Sequence, residues 1–392
     1  MKITETCKEY CIGCGLCHSE LKTGMDEDAL GFFAPQFGED SRTEEFLKQV
    51  CPVTGLHSDE DSEADIWGSR RNIYAGFSTD SGIRKKASSG GVITTLAIYL
   101  LESGQVDAVI EVAGCQEEPY RTEGRICRTA EEIMACCGSR YSISAPWMNL
   151  RELTEEKLRY AAVGKPCDIA ALRNLKNTGE YGNILYLLSF FCAGMPSDRA
   201  GRTLLEKMNC NPEQCVSLNY RGNGWPGMVT AVDKSGHTYQ MEYSNAWGGI
   251  LGRDIHPFCR VCFDGIGLAA DVACGDGWYL SDRGEVDFSE RDGRNVIFPR
   301  TETGEEILQA AAEAGRICLE PWEDISQLKV IQNYQYMRRA TMRTRLLAYR
   351  LFGKRTPHYP GNRLKQLSGL VSFRQKLRIF LGTVKRIMQG RI

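Results

Sequence analysis

Seventeen cysteines in 392 residues constrain this chain more than any other feature. Three of them, Cys11, Cys14 and Cys17, form a C-x2-C-x2-C run, and Cys51 follows with Pro52 directly after it. This is the bacterial ferredoxin spacing, with the nearby fourth cysteine replaced by a distant Cys-Pro. Thiolates at i, i+3 and i+6 in one tight loop can each reach one iron of a cubane. Gly13 and Gly15 let the backbone wrap the group and aim N–H donors at its sulfurs. Pro52 has no N–H to compete there. Zinc sites more often join two separated C-x2-C pairs, so this run favours a [4Fe–4S] cluster over zinc or plain buried thiols. Cys7 reads as a spare, packed or exposed thiol, and His18 as a surface residue.

A second set is less local. Cys259-Arg-Val-Cys262 is a lone C-x2-C, while Cys167 and Cys192 lie where strands are predicted to end. Ends of parallel strands point toward a common crevice in open α/β sheets. Spacing therefore permits, without requiring, Cys167, Cys192, Cys259 and Cys262 to meet as a second four-thiolate site. Cys274 is a rival for one position, and Cys192 also reads as a small core residue. The other seven cysteines, Cys136 and Cys137 among them, show no ligand spacing.

Composition sets the frame for these sites. Hydrophobic residues are 42% and charged residues 25%, ordinary for a globular protein in water. The longest apolar run, from Ile184 to Met195, is well short of the roughly 20 residues a membrane-spanning helix needs. The N-terminus lacks the apolar core of a signal peptide. The expectation is a cytoplasmic chain whose thiols stay reduced. Charge is unevenly spread: residues 325–392 hold 16 Lys and Arg and no Asp or Glu, leaving residues 1–324 with a net charge of −18.

Three parts follow. Residues 1–66 are acidic and cysteine-marked, show little periodicity and end in the polar stretch Ser58 to Asp65. Their core looks too small to stand without a metal staple. Residues 67–324 alternate helices with continuous apolar strands, the signature of an α/β layered domain. Strands are expected at Asp107–Val112, Tyr160–Val163 and Ile184–Phe191, and a β-hairpin at Met228–Tyr243 turning at Lys234-Ser235-Gly236. Ser88 or Ser89 is expected to cap a helix through Leu101. Thr129 with Glu132 is expected to form a capping box, and Ser197 to cap a helix to Met208. Residues 325–392 are helical and basic, with Phe373, Leu377, Phe380, Leu381, Val384 and Met388 on one helical face.

The segment Lys85-Lys86-Ala87-Ser88-Ser89-Gly90-Gly91 precedes a helix, an arrangement that exposes N–H groups to an anion such as phosphate. A mere helix cap is an equal reading. No G-x-G-x-x-G dinucleotide fingerprint occurs.

With these segments in view, the chain resembles the coenzyme F420 hydrogenase and dehydrogenase beta-subunit family, which includes 7-hydroxymethyl chlorophyll a reductase. The matching pieces are CIGCGLC at 11–17, SGGVITTLA at 89–97, RTAEEI at 128–133, VGKPCDIAALR at 163–173, FCAG at 191–194, CRVCFD at 259–264 and ADVACGD at 270–276. They span about 70% of the chain. The resemblance implies an iron–sulfur flavoprotein oxidoreductase that binds FAD beside two [4Fe–4S] clusters. The second cluster would be held by cysteines like Cys167, Cys192, Cys259 and Cys262. It implies flavin contacts at Ser89, Gly90 and Gly91, with Ser139, Arg140 and Lys165 beside them. Asp264, Asp276 and His256 are expected to be structural rather than proton donors.

The resemblance leaves the partner open among the deazaflavin, NAD(P)H, ferredoxin and another redox protein or subunit. The alternative function is a flavin-free electron-transfer subunit, and a third is a zinc-stabilised binding protein. Three readings of the basic tail stand. It packs on the acidic body, docks an acidic partner, or makes peripheral contact with anionic lipid. Nucleic acid is not expected, because no recognition motif accompanies the charge.

Overall fold

The computed structural model describes residues 3–38, 40–55 and 65–390. Most of the polar stretch expected to close the first part, Ser58 to Ala64, lies outside the described residues.

The chain opens with helices Ile3–Glu9 and Leu16–Leu21, a hairpin of β1 (Gly24–Glu27) and β2 (Phe33–Gln36), and helix Ser41–Val50. Next come β3 (Tyr74–Ser78), helices Ser81–Lys86 and Val92–Glu102, β4 (Ala108–Gly114), β5 (Thr122–Cys127) and helix Ala130–Cys136. β6 (Tyr160–Gly164), helix Pro166–Asn177, β7 (Ile184–Phe190) and helix Asp198–Lys207 follow. β8 (Cys215–Asn219), β9 (Met228–Asp233) and β10 (Thr238–Glu242) make a small antiparallel sheet. Then come β11 (Val272–Asp276), a short pair β12 (Tyr279–Leu280) and β13 (Val286–Asp287), β14 (Asn295–Pro299), helix Glu302–Glu313 and β15 (Ile317–Pro321). Helices from Leu328 to Met388 end the described chain.

Eight strands pair in the order β15-β3-β14-β11-β7-β6-β4-β5. The four central strands β11, β7, β6 and β4 run parallel, and both flanks turn antiparallel. Side chains alternate across this sheet as a period of two demands. Ala108, Ile110, Tyr160, Ala162 and Ala273 face one core, together with Leu172 of the Pro166–Asn177 helix and Leu346 of the tail. Val109, Ala161, Val163, Val272 and Cys274 face the other, with Leu96 and Leu308 from the helices over it. The α/β layering expected from the apolar runs is present. The antiparallel flanks were not visible, because strand direction depends on connections rather than on residue pattern.

Capping explains where the helices start. Thr129 and Glu132 form the expected capping box, and the Ser197 hydroxyl accepts from the Ala200 N–H at 3.1 Å. The cap expected at Ser88 or Ser89 is instead Gly91, at φ 78° and with no side-chain bond. Glycine enters this left-handed conformation at no steric cost, whereas serine pays for its Cβ. The two serines point elsewhere: Ser88 Oγ accepts from Ser139 N–H at 2.7 Å, and Ser89 Oγ donates to the Arg294 carbonyl at 2.8 Å.

The first part is more structured than its weak periodicity indicated. Its buried Cys7, Tyr10, Leu16, Leu47 and Val50 belong to the same core as one face of the large sheet. Its apolar residues are thus buried against the body, not in a small core of their own.

Candidate functional site

The first cysteine set is positioned by local backbone geometry. Gly13 and Gly15 both take positive φ, 72° and 90°, and Gly15 caps the helix that carries Cys17. A Cβ on Gly15 would lie 2.4 Å from the Met148 nitrogen, so glycine is also required by packing. The Gly13 N–H donates to Cys11 Sγ at 3.4 Å. The Trp147 N–H donates to the Cys14 carbonyl at 3.0 Å and ties the loop to the body. Cys51 arrives at the end of helix Ser41–Val50. Burial pushes the Cys11 thiol up to about 12, and Cys51 adds to the rise. Cys14 and Cys17 are also driven up, by burial first and then by neighbouring charge that includes the other thiols of the set. Cys7 is packed and not exposed; its thiol is hydrogen-bonded to Cys51, the largest cause of the rise at Cys51. His18 is half-buried, with Nδ1 2.6 Å from the Thr23 carbonyl.

The second set is gathered by the fold. Cys167 lies in the first turn of helix Pro166–Asn177, just beyond β6. Cys192 lies just beyond β7, and Cys259 and Cys262 lie on and after the short Pro257–Val261 helix. All four line one small cavity, together with Ile12, Lys165, His256 and Arg338. Burial raises all four thiols, Cys192 to about 11. The Met195 N–H donates to Cys259 Sγ at 3.4 Å. Arg338 is fully buried; its Nη2 donates to the Cys192 carbonyl at 2.8 Å, and its Nε has no partner. Cys274 faces the other side of the sheet from the cavity of the four. Among the described residues, no three His, Cys, Asp or Glu side chains converge closely enough to hold a single metal ion.

A larger cavity of about 310 Å³ opens at the carboxyl ends of β6, β7 and β11. That is the crevice where open α/β sheets bind ligands, and the volume falls in the range of small-molecule sites, about 300–1,000 Å³. Ser89, Gly91, Ser139, Arg140 and Lys165 all line it. Gly90 does not: its Cα faces the Gly76 carbonyl and Asn295, where a Cβ would approach within 2.7 Å. Glycine at this position allows close packing under the loop. Arg140 presents an Nε with no partner. Lys165 is buried and donates to Asp168 at 2.6 and 2.8 Å and to Ser144 Oγ at 2.9 Å. Burial works against this ammonium, but Asp168 outweighs it and holds the pKa above the usual lysine range. Lys165, Cys192, Gly194 and Met195 line both cavities, so the two share a wall.

Several lining residues escaped sequence reasoning. Arg221 grips Asp276 with two bonds of 2.8 and 3.1 Å, and its guanidinium lies over the Tyr243 ring at 4.7 Å. The signal was the glycine-rich run Arg221-Gly-Asn-Gly-Trp-Pro-Gly227, whose glycines all take positive φ. Glu111 and Tyr334 carried no signal. The three polar residues expected to be structural each have internal partners, and each also lines a cavity. Asp276 is the partner of Arg221, and Asp264 accepts from the Ile266 and Leu268 N–H groups. His256 Nδ1 accepts from the Phe258 N–H at 3.1 Å.

Two family models match the chain, one for each end of the coenzyme F420 hydrogenase/dehydrogenase beta subunit. The N-terminal model covers residues 73–151 and the C-terminal model residues 157–325. The coenzyme F420 hydrogenase subunit beta of Methanosarcina barkeri is 28% identical over 268 residues, covering 63% of this chain and 81% of that one. The subunit of the same name from Methanothermobacter thermautotrophicus is 24% identical, covering 75% of this chain and all of its own length. A chain of the F420-reducing [NiFe] hydrogenase complex from Methanosarcina barkeri shares the fold, with a TM-score of 0.59 at 23% identity over 75% of this chain and 98% of that one.

Proposed function

Because the chain belongs to the coenzyme F420 hydrogenase/dehydrogenase beta-subunit family, we propose that it is an iron–sulfur flavoprotein oxidoreductase acting as a redox unit. In this reading Cys11, Cys14, Cys17 and Cys51 hold one [4Fe–4S] cluster, and Cys167, Cys192, Cys259 and Cys262 hold a second. FAD occupies the large cavity, against Ser89, Gly91, Ser139, Arg140 and Lys165.

The observation that carries the reading is the shared wall. Four cysteines distant in sequence surround one cavity, and that cavity adjoins a ligand-sized one lined by five of the six expected flavin contacts. The sulfurs stand around a space rather than a point, as one thiolate per iron requires. The partnerless Nε of Arg338 at the small cavity and that of Arg140 at the large one are buried donors that a cluster sulfur and a phosphate would satisfy. Bound clusters supply single electrons, and a bound flavin exchanges them with two-electron chemistry.

The chain's own residues position and seal. Ile12, next to Cys11, reaches the wall of the second cavity, so both sets and the large cavity are contiguous. Lys165 keeps a fixed positive charge at their junction, where Asp168 holds it oriented. The domain division is part of the proposal: residues 1–66 form the entry unit, 67–324 the flavin unit and 325–392 a helical cover. The relatives' names make coenzyme F420 the first partner to test, against ferredoxin and NAD(P)H.

An anaerobic visible spectrum with iron, zinc and released flavin counted on one sample tests this. About eight irons and one FAD per chain are expected. Four irons with FAD would remove the second cysteine site. Iron without flavin, even after FAD is added, would leave the flavin-free electron-transfer subunit. Zinc without iron or colour would overturn the reading.

A further inference from the structure

The C-terminal helices have two unlike sides. The inner side is fastened to the body. Arg345 donates to the Arg260 carbonyl at 3.1 Å, Tyr359 to the Val261 carbonyl at 2.9 Å, and Arg355 pairs with Glu5 and Glu9 at 2.6 and 2.9 Å. The outer side is apolar and uncovered. On helix Phe373–Met388, Phe373 is 78% exposed and Met388 75%, with Leu377 and Leu381 exposed between them on the same stripe. Helix Met342–Leu351 packs alongside and adds exposed Leu347 and Leu351, with Phe352 just after it. A monomer in water rarely leaves a contiguous apolar patch of this kind without a use.

Basic side chains border the stripe. Arg343, Arg350, Arg374, Arg378 and Lys385 are all exposed, and no carboxylate side chain occurs anywhere from residue 325 to 392. We propose that this face docks the protein on an anionic lipid surface, its apolar stripe entering the acyl boundary and its Arg and Lys contacting headgroup phosphates.

Three observations select lipid. No helix is long and apolar enough to cross a membrane among the described residues, so the geometry is that of helices lying in the interface plane. A second copy of the chain would bring two all-basic tails face to face, which charge repulsion opposes. The apolar stripe and its basic border run together along one sixteen-residue helix, the pattern of a helix lying in an anionic lipid interface. The matched family region ends at residue 325, and the face lies beyond it. The body carries a net charge of −18, while the exposed Arg343, Arg350, Arg374, Arg378 and Lys385 give the outer tail a positive surface. An anionic surface therefore attracts one side of the molecule and repels the other, which orients it.

The test is co-sedimentation of the full chain with vesicles of phosphatidylcholine alone and of phosphatidylcholine mixed with phosphatidylglycerol. Binding is expected to the mixed vesicles only and to weaken as salt rises. Arg374→Gln and Arg378→Gln should each reduce it about fivefold, and Phe373→Glu with Leu377→Glu should abolish it. These positions are exposed, so the variants should keep the parent's far-UV spectrum and melting temperature. Phe373→Trp adds a second readout, a blue shift of its emission on the mixed vesicles. Failure of the unmodified chain to bind mixed vesicles overturns the proposal, as does binding that the two glutamates leave unchanged. A concentration-dependent dimer broken by Phe373→Glu, or capture by a purified acidic protein without vesicle binding, would overturn it in favour of that partner.

Discussion

Cys11, Cys14 and Cys17 sit within one loop and one helical turn, whereas Cys167, Cys192, Cys259 and Cys262 arrive from three separate elements of the central fold. Their electrical surroundings differ as well. Asp168 presses on Cys14, whereas at Cys11 Lys165 favours the thiolate ahead of the opposing Asp28. At the second set Arg338 favours the thiolates of Cys192, Cys259 and Cys262, and Lys165 favours that of Cys167 ahead of the opposing Asp168. The difference teaches that a local loop can gather cysteines cheaply in sequence, whereas bringing a buried cation such as Arg338 beside them takes distant residues. In the proposed protein the buried Arg338 would favour reduction of the second centre, which lies against the large cavity.

The largest expected effect separates the two sets by their link to that cavity. Cys14→Ser should halve the iron content and leave flavin bound. Cys192→Ser should halve the iron and lower flavin content too, because Cys192 lines both cavities. Iron and flavin counts on the two variants check this, and equal flavin in both would break the distinction.

Arg338→Met sharpens the electrostatic half of the comparison. It removes a buried cation and its bond to the Cys192 carbonyl, at a cost of about 1–3 kcal/mol in stability. The reduction midpoint of the second centre should move to more negative potential while the first stays in place. A redox titration followed by electron paramagnetic resonance reads both on one sample.

Gly15→Ala probes the local half. The left-handed φ and the close Met148 nitrogen should together destabilise the chain by about 1–3 kcal/mol. Gly194→Ala, at the second set, should cost less. Its φ of 151° is also unusual for alanine, but its Cβ meets Ile255 Cδ1 at 2.8 Å, and that side chain can shift. Urea unfolding of the two variants ranks them.

The smallest effect concerns Glu111 on the cavity wall. Burial, with Cys136 beside it, holds this carboxyl well above 4.5. A raised acid contributes stability below its unfolded pKa and loses it as pH rises through the folded one. Glu111→Gln should therefore stabilise the chain at pH 7, because the amide carries no charge to bury. The gain should vanish near pH 4, which thermal melts at the two pH values would show.

Much of the layer order was legible. The apolar runs at Tyr160–Val163 and Ile184–Phe191 lie on β6 and β7 within a residue, because a strand buried on both faces must be apolar throughout. Thr129 and Ser197 capped as read, since those bonds close within three residues. The cap at Gly91 was missed because neighbouring serines satisfy the same local rule, and only packing decides among them. The expected flavin contacts came from the resemblance rather than from periodicity, and only the fold shows that five of them line one cavity while Gly90 packs under its loop. The amphipathic pattern of Phe373–Met388 was visible, but a stripe looks alike whether it enters a core or stands in water.

The sequence by itself determined the spacing of the first cysteine run, the positions of the buried strands and the charge division at residue 325, all properties of neighbours along the chain. Only the tertiary structure decided that Cys167 and Cys192 line one cavity with Cys259 and Cys262, that Arg338 crosses 146 positions to reach Cys192, and that the last helix turns its apolar side outward. Such contacts depend on strand order and helix docking, which distant residues set jointly and no local pattern records.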